Sequence, residues 1–385
     1  MRTYKVAILP GDGIGREVIP EAVRVLHAVQ ESVEGFSLDT IEYECGGEYY
    51  LRSGREWTSE AEEFCKTEAD AVLLGAVGGI YPDGSTVRRP DGHLAGYSIA
   101  IGLRFDLDLY ANVRPVKLYE GVPTPLAGKG PGQIDMTIVR ENTEGLYVPI
   151  RGRLQRGGVS ESAIDVRQIT RRGSERVIRY AFELAMRRRG APADGHRRVT
   201  CVDKSNLLAG CQLFREVYDE VAQVYPHIDR DYAYVDSWTQ WCVRSPEKFD
   251  VVVAPNEFGD IITDLGAAIQ GGLGMAPAGN IGDGHAVFEP VHGSAPSHYG
   301  KSQANPMAAI LAAAMMLDWI GMTRSDSACT RAAALVERAV ATVLREGRVR
   351  TYDLCSGQWA NTVPVSTDRV GSEVAATLIT LGRGG

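Results

Sequence analysis

The stretch "NEFGDIITDL" (256–265) places two carboxylates, Asp260 and Asp264, four residues apart, on one face if the segment is helical. Like charges at that spacing cost a helix about a few tenths of a kcal/mol. Asp260, nearer the helix start, gains more from the dipole than Asp264 does. On spacing alone, a solvated acidic face is the commoner outcome. The flanks "FDVVVAPNEF" and "IITDLGAAI" are apolar, however, which puts the pair at a partly buried strand end where two carboxylates call for a cation. Hard oxygen donors of this kind suit Mg²⁺ or Mn²⁺ rather than zinc. Three arginines form a second group: Arg104 and Arg114 in "GLRFDLDLYANVRP", and Arg140 in "IVRENTEGLY". Guanidinium forks match carboxylates bidentately. The plainer alternative for any one of them is an ion pair with Asp106, Asp108, Glu141 or Glu144. Lys204, after "RVTCVD", stands at the end of a buried run, where a desolvated amine can act as a base; a solvated cation is the default. Tyr147 is a packing residue or a proton donor.

These side chains need a frame. Apolar runs at 5–9, 71–77, 135–139, 198–202 and 250–254 read as buried strands. Helical patterns fall between and after them, at 16–33, 171–189, 206–224, 305–320, 326–345 and 370–381. Ser59 with Glu62 reads as a capping box ahead of a further helix. Strands alternating with helices define an α/β protein with covered sheets. The segment 146–170 differs: two strand-like pieces flank "QRGG", a protruding hairpin that is either an ordinary surface feature or a dimer clasp. The loop 288–306, rich in glycine and proline, is long enough to wrap a ligand.

"ILPGDGIGREV" (8–18) invites comparison with the dinucleotide-binding glycine motif. Gly11 and Gly13 fit, but Arg16 holds the position of the third glycine and Gly15 comes one place early. The loop therefore reads as a glycine-permitted strand-to-helix turn that borders a cleft, with any nucleotide held elsewhere.

The chain has 385 residues and a net charge of −8, which argues against nucleic acid or an anionic membrane as partner. The apolar stretch 305–322 is interrupted by Asp318 and reads as a buried helix, not a membrane span. No secretory leader is evident at the N-terminus. Seven scattered cysteines without a Cys-x-x-Cys pair fit a reduced, cytoplasmic setting.

Taken together and in this order, "LPGDGIGREV", "LDLYANVRP", "VRENTEGLY", "VDKSN", "FDVVVAPNEFGDIITDL" and "FEPVHGSAP…ANP…AAILAAAMML" resemble the β-decarboxylating dehydrogenases. That family comprises isopropylmalate, isocitrate, homoisocitrate and tartrate/D-malate enzymes, and the likeness runs from about Val6 to Leu317. It implies an α/β, isocitrate/isopropylmalate dehydrogenase-like two-domain fold, non-Rossmann, with a clasp-like hairpin. Residues 1–109 and 272–385 would form a discontinuous cofactor-side domain. Residues 110–271 would form a central domain with the dimer interface and the arm at about 146–170. The implied reaction is metal-dependent oxidative decarboxylation of a 3-substituted (2R)-malate, with hydride transfer to NAD or NADP.

The resemblance also implies roles. Arg104, Arg114 and Arg140 clamp the malate carboxylates. Asp236, in "YVDS", joins Asp260 and Asp264 as the Mg²⁺ or Mn²⁺ site. Lys204 takes the hydroxyl proton, and Tyr147 returns a proton to C3. Asn206 and Glu289 lie near the nicotinamide ribose and amide. His292, Gly293, Ser294, Ala295, Ser297, His298 and Asn305 line the adenosine half. A homodimer sharing Lys204 and Asp236 between active sites favours the clasp reading of the hairpin.

Two departures bear on specificity. "HGSAPSHYGK" carries Ser297 and His298 where NAD-using members typically carry "HGSAPDIAGK". Without that aspartate, strict NAD selection loses its electrostatic basis, and dual or NADP use is open. The Lys-Tyr pair usual in NADP users is also absent. Tyr352 resembles a tyrosine that touches the 2′-phosphate in NADP-dependent isocitrate dehydrogenases, and the position of its arginine partner is Ser356 here. In "YSIAIGLR", Ser98, Ala100 and Ile101 should face the C3 substituent. Small and apolar residues rank 3-isopropylmalate first. Isocitrate, homoisocitrate, tartrate or D-malate remain alternatives, as does a specialised biosynthetic paralogue acting on an unusual, for example phosphonate-bearing, malate. A silent regulatory subunit would have lost catalytic groups, and none is lost.

Overall fold

The computed structural model describes residues 2–81 and 85–383. Its strands are β1 (Arg2–Leu9), β2 (Phe36–Glu42), β3 (Ala71–Leu74), β4 (Ala111–Lys117), β5 (Asp135–Glu141), β6 (Arg151–Arg156), β7 (Val159–Asp165), β8 (Arg198–Asp203), β9 (Asp229–Tyr234), β10 (Val251–Ala254), β11 (Pro277–Ile281) and β12 (Ala286–Pro290). The chain divides into two compact units. A terminal unit takes Met1–Leu107, Leu118–Pro131 and Ala267–Gly385, and a central unit takes Asp108–Lys117 and Gly132–Gly266. The boundaries differ from a single central block at 110–271: the segment Leu118–Pro131 belongs with the terminal unit. Local contacts show why. The Gly121 carbonyl accepts from Arg350 Nη1 at 2.7 Å, and Thr124 Oγ1 donates to the Ile269 carbonyl at 2.7 Å.

In the terminal unit the strands lie in the order β2-β1-β3-β12-β11; all neighbours are parallel except β11 and β12. The sheet is not a consecutive βαβ series, because the chain leaves after β3 and returns for β11 and β12. The helix Met307–Thr323 packs on this sheet and is buried nearly all round, as its unbroken apolar run requires. Among the described residues no helix is long and apolar enough to cross a membrane. The expected cap at Ser59 is displaced by one residue: Thr58 Oγ1 accepts from the Ala61 amide at 3.0 Å, and Ser59 is the first helical residue.

In the central unit the order is β4-β5-β10-β8-β9, antiparallel only between β4 and β5. β8 and β10 are buried along almost their whole length, as parallel strands covered on both faces must be. The helix Arg171–Arg187, capped by Thr170, sets Val177, Ile178, Ala181, Phe182 and Ala185 at helical spacing into the core. The 146–170 region contains the expected hairpin, β6 with β7 in antiparallel register, turning at Gly157 and Gly158 in left-handed conformations. Every residue of both strands is exposed. All seven cysteines are free, and all but Cys355 are buried, in keeping with small apolar core residues.

Candidate active site

The central unit gathers one charged cluster at the ends of β4, β5 and β10. Ala254 is in register with Arg140, and the helix Asn256–Ile269 starts two residues later, which brings its first turns against that arginine. Arg140, only 3% exposed, donates from Nη1 to Asp260 Oδ1, and from Nε and Nη2 to Asn256 Oδ1 at 3.0 and 2.7 Å. Arg114, on β4, donates to Asn112 Oδ1 and Thr263 Oγ1, each at 2.7 Å, and lies 3.5 Å from Asp264 and 3.6 Å from Asp260. The Tyr147 hydroxyl donates to Asp260 Oδ2 at 3.0 Å, and its ring centroid lies 5.5 Å from the Arg140 guanidinium carbon. Two buried cations, two carboxylates and a phenol thus meet on one helix face. Of the acids that could pair with these arginines on the surface, Asp106 pairs with Lys66, and Asp108 with Arg176.

A second cluster stands at the adjoining ends of the parallel pair β8 and β9. Lys204 follows β8, and Asp236 lies in the first turn of the helix Val235–Arg244 that follows β9. Lys204 Nζ is 2.5 Å from Asp236 Oδ1 and 5.8 Å from the Tyr234 ring centroid. That hydrogen bond holds the Asp236 carboxyl below its ordinary pKa. Asn206 is exposed two residues beyond the lysine. Within one chain the three aspartates do not converge: among the described residues no group of three His, Cys, Asp or Glu side chains is placed to hold a metal ion. The pair Asp260 and Asp264, half-exposed and exposed on neighbouring turns with oxygen donors only, fits part of a hard-cation shell and leaves the rest to be supplied.

The segments expected to line a nucleotide, apart from Asn206, fall in the terminal unit. Gly11 and Gly13 both adopt left-handed conformations. At Gly13 a Cβ would lie 2.1 Å from the Ser294 carbonyl oxygen, so only glycine lets the 11–15 turn lie flush against the 292–298 loop. The Ile14 amide donates to that carbonyl at 2.9 Å, and Ser294 Oγ donates to the Gly78 carbonyl at 2.7 Å. Ala295 takes a left-handed φ of 38°, a strained conformation for a residue with a Cβ. Gly293 is exposed. His292 Nε2 is buried without a hydrogen-bond partner, and burial holds its imidazole below the ordinary pKa. An imidazole with a buried, unpaired Nε2 beside a turn stripped of side-chain bulk fits a nucleotide base and ribose. Asn305 has a more structural part than expected: Oδ1 accepts from the Met307 amide at the start of the following helix, and Nδ2 donates to Asp353 at 3.0 Å. Ser297 is exposed, and His298 stacks on Tyr352 with ring centroids 5.7 Å apart. Gln303 Nε2 lies 2.9 Å from His298 Nδ1. Glu289 accepts from Asn280 at 2.8 Å and lies 3.6 Å from Arg104, which ties an expected cofactor residue to an expected carboxylate fork.

Ahead of Arg104, residues Ser98–Gly102 form a π-helical turn, a geometry that concentrates at functional positions. Ala100 and Ile101 are half-buried there. Ser98 is not free for a substrate carboxylate: its hydroxyl donates to Glu56, and the Gly96 and Ser98 amides donate to the same carboxylate at 2.7 and 2.9 Å. Glu56, 5% exposed, is a positioning residue that the sequence reading missed. So is Asp12, 1% exposed, whose carboxylate accepts from the Gly47, Glu48 and Gly78 amides. Single buried acids of this kind carry no periodic signal. Asn256 lies inside the stretch 256–265, where its residue type alone signals no role.

The fold and these clusters match one class of protein. A family model described as isocitrate/isopropylmalate dehydrogenase matches residues 5–374, and the chain belongs to that family of decarboxylating dehydrogenases. It is 44% identical to a 3-isopropylmalate dehydrogenase of Thermobifida fusca, over 90% of this chain and 92% of that one. It is also 44% identical to a D-malate dehydrogenase (decarboxylating) of Escherichia coli, over 83% and 86% of the two chains. The crystal structure of isocitrate dehydrogenase from Methylococcus capsulatus superimposes with a TM-score of 0.81 at 35% identity, covering 98% of this chain and 99% of that one.

Proposed function

We propose that the chain oxidises and decarboxylates a 3-substituted (2R)-malate, with 3-isopropylmalate as the preferred substrate. The observation that carries this reading is the convergence of Arg114, Arg140, Asp260 and Tyr147 in the central unit. Arg114 and Arg140 offer forks to substrate carboxylates, and Arg104 is a third fork on the terminal unit. When bound, a divalent cation supplies an electrophile beside the 2-hydroxyl, and NAD or NADP supplies the hydride acceptor. Asp260 and Asp264 would hold the cation together with the partner's Asp236. The partner's Lys204 takes the hydroxyl proton as hydride leaves C2. The 3-carboxylate then departs as CO₂, and Tyr147 delivers a proton to C3.

The partner is a second copy of this chain. A two-stranded hairpin is marginal in isolation, yet this one exposes Leu154, Val159 and Ile164 at 54%, 69% and 65%. Leu207, Trp241 and Ile261, near the catalytic clusters, are exposed as well. Exposed apolar side chains on an arm and beside these clusters are what a clasped homodimer would cover.

The half-buried Ala100 and Ile101 favour an apolar C3 substituent, and the engagement of Ser98 with Glu56 disfavours isocitrate. Ser297, in place of a carboxylate, leaves room for a 2′-phosphate, and the His298–Tyr352 stack offers it a flat, hydrogen-bonding edge. This supports use of both NAD and NADP. The test is nicotinamide reduction by the full-length protein with Mg²⁺ or Mn²⁺ on 3-isopropylmalate, isocitrate, homoisocitrate, tartrate and D-malate, each with both cofactors. The reading expects 3-isopropylmalate to have the highest kcat/KM. A different leader reassigns the C3 pocket, and silence on all five sinks the reading.

A further inference from the structure

We infer that Asn256 is a positioning residue that sets both the Arg140 fork and the Tyr147 loop through one side-chain amide; this rests on the roles proposed above for Arg140 and Tyr147. Asn256 is 1% exposed. Its Oδ1 accepts from Arg140 Nε and Nη2 at 3.0 and 2.7 Å, and its Nδ2 donates to the Glu144 carbonyl at 2.8 Å. The orientation of the amide follows from its partners: a guanidinium only donates and a carbonyl only accepts. One residue after Glu144, Gly145 has a φ of 81°, and a Cβ there would lie 2.9 Å from the Asn256 Cβ and 2.7 Å from Glu257 Oε2. The backbone therefore runs flush against Asn256 two residues before Tyr147.

Asp260, one helical turn beyond Asn256, closes a ring. It accepts from Arg140 on one oxygen and from the Tyr147 hydroxyl on the other. In the proposed reaction those oxygens are wanted by a cation, so the Asp260 contacts must loosen in the loaded enzyme. The contacts of Asn256 are uncharged on its side and need not change. Asn256 is thus the part of the ring that keeps fork and loop in register when Asp260 turns to other work.

Two variants separate its two hydrogen-bonding ends. Asn256→Asp keeps an acceptor for Arg140 and removes the donor to Glu144. Asn256→Leu removes both at similar volume. For Asn256→Asp the inference expects kcat to fall tenfold or more with KM within threefold of wild type. It also expects faster amide hydrogen exchange confined to residues 143–150 in the ligand-free protein, with exchange elsewhere as in wild type. For Asn256→Leu it expects KM to rise tenfold as well. Wild-type kcat and loop exchange in Asn256→Asp would overturn it, as would a lowered midpoint in both variants with kcat and KM intact. Arg140→Lys and Tyr147→Phe run alongside: if both retain full activity, the proposed function fails, whereas the exchange data still judge the Asn256 anchor.

Discussion

The two units deploy their charged side chains in different ways. In the central unit the functional side chains are paired with one another before any ligand arrives. Arg140 and Arg114 lie almost wholly buried against Asp260, Asp264, Asn256 and Thr263, and Lys204 lies against Asp236. A buried guanidinium without such partners would be costly, so the proposed binding groups serve as each other's counter-ions. In the terminal unit the proposed nucleotide elements are mostly backbone and side chains without formal counter-ions: a turn with no Cβ at Gly13, the Ser294 carbonyl, and His292 with a buried Nε2. Charge is used there for architecture, in Asp12 and Glu56, each satisfied by backbone amides. Substitutions in the central cluster should therefore break chemistry, and those in the terminal unit should retune selectivity.

The largest effect is expected at Lys204. Lys204→Met should lower turnover by about 10³-fold, in the range for loss of a general base. Its folding midpoint should stay near wild type, because the Asp236 partner is mostly exposed. Turnover within tenfold of wild type would remove Lys204 from the mechanism. Next comes Arg140→Lys, which keeps the charge and loses the fork. A loss of about 3 kcal/mol, or roughly 10²-fold in kcat/KM, is expected from steady-state kinetics. In the terminal unit, Ser297→Asp should lower kcat/KM with NADP relative to NAD by roughly tenfold or more through like-charge repulsion. An unchanged ratio would move cofactor choice away from that loop.

A fourth prediction concerns stability in the central unit. Burial pushes the Glu141 carboxyl up from 4.5 to about 7, against the amides of Thr143 and Glu144 that favour its ionised form. Between these values the unfolded chain has lost the proton and the folded chain still holds it. Folding stability from this group therefore falls as pH rises from about 4.5 to about 7 and stays reduced above that. Glu141→Gln should remove this slope, so the midpoint of the variant relative to wild type should climb over the same interval in a thermal melt series. A flat difference would mean that Glu141 is ionised throughout. The smallest effect is expected at Ser98: Ser98→Ala should leave kcat/KM for 3-isopropylmalate within about twofold, since the hydroxyl already donates to Glu56.

The same contrast explains what could be read from the chain alone. The central cluster was only half legible: Asp260 and Asp264 at helical spacing, arginines at strand ends and a lysine after a buried run were visible as types, but spacing alone favoured a solvated acidic face and ordinary ion pairs, and only the family resemblance grouped them. The parallel strands announced themselves as β-branched runs, and the helix Met307–Thr323 as an apolar one. Positions set by tertiary contact were not legible. Thr58 and Ser59 are equally good caps by type, and the fold chose Thr58. Glu56 looks like any loop glutamate until four donors converge on it, from Gly96, Ser98 twice and Arg89. The return of Leu118–Pro131 to the terminal unit depends on Arg350, more than 200 residues away in the chain. The π-helical turn at Ser98–Gly102 has no sequence pattern that separates it from an α-helix.

The most direct test of the central claim is the coupling of nicotinamide reduction to CO₂ release on 3-isopropylmalate, before and after thorough chelation of divalent metal. The account predicts one CO₂ per reduced nicotinamide, loss of both on chelation, and return of both with Mg²⁺ or Mn²⁺. Turnover that survives chelation, or reduction without CO₂, would contradict it.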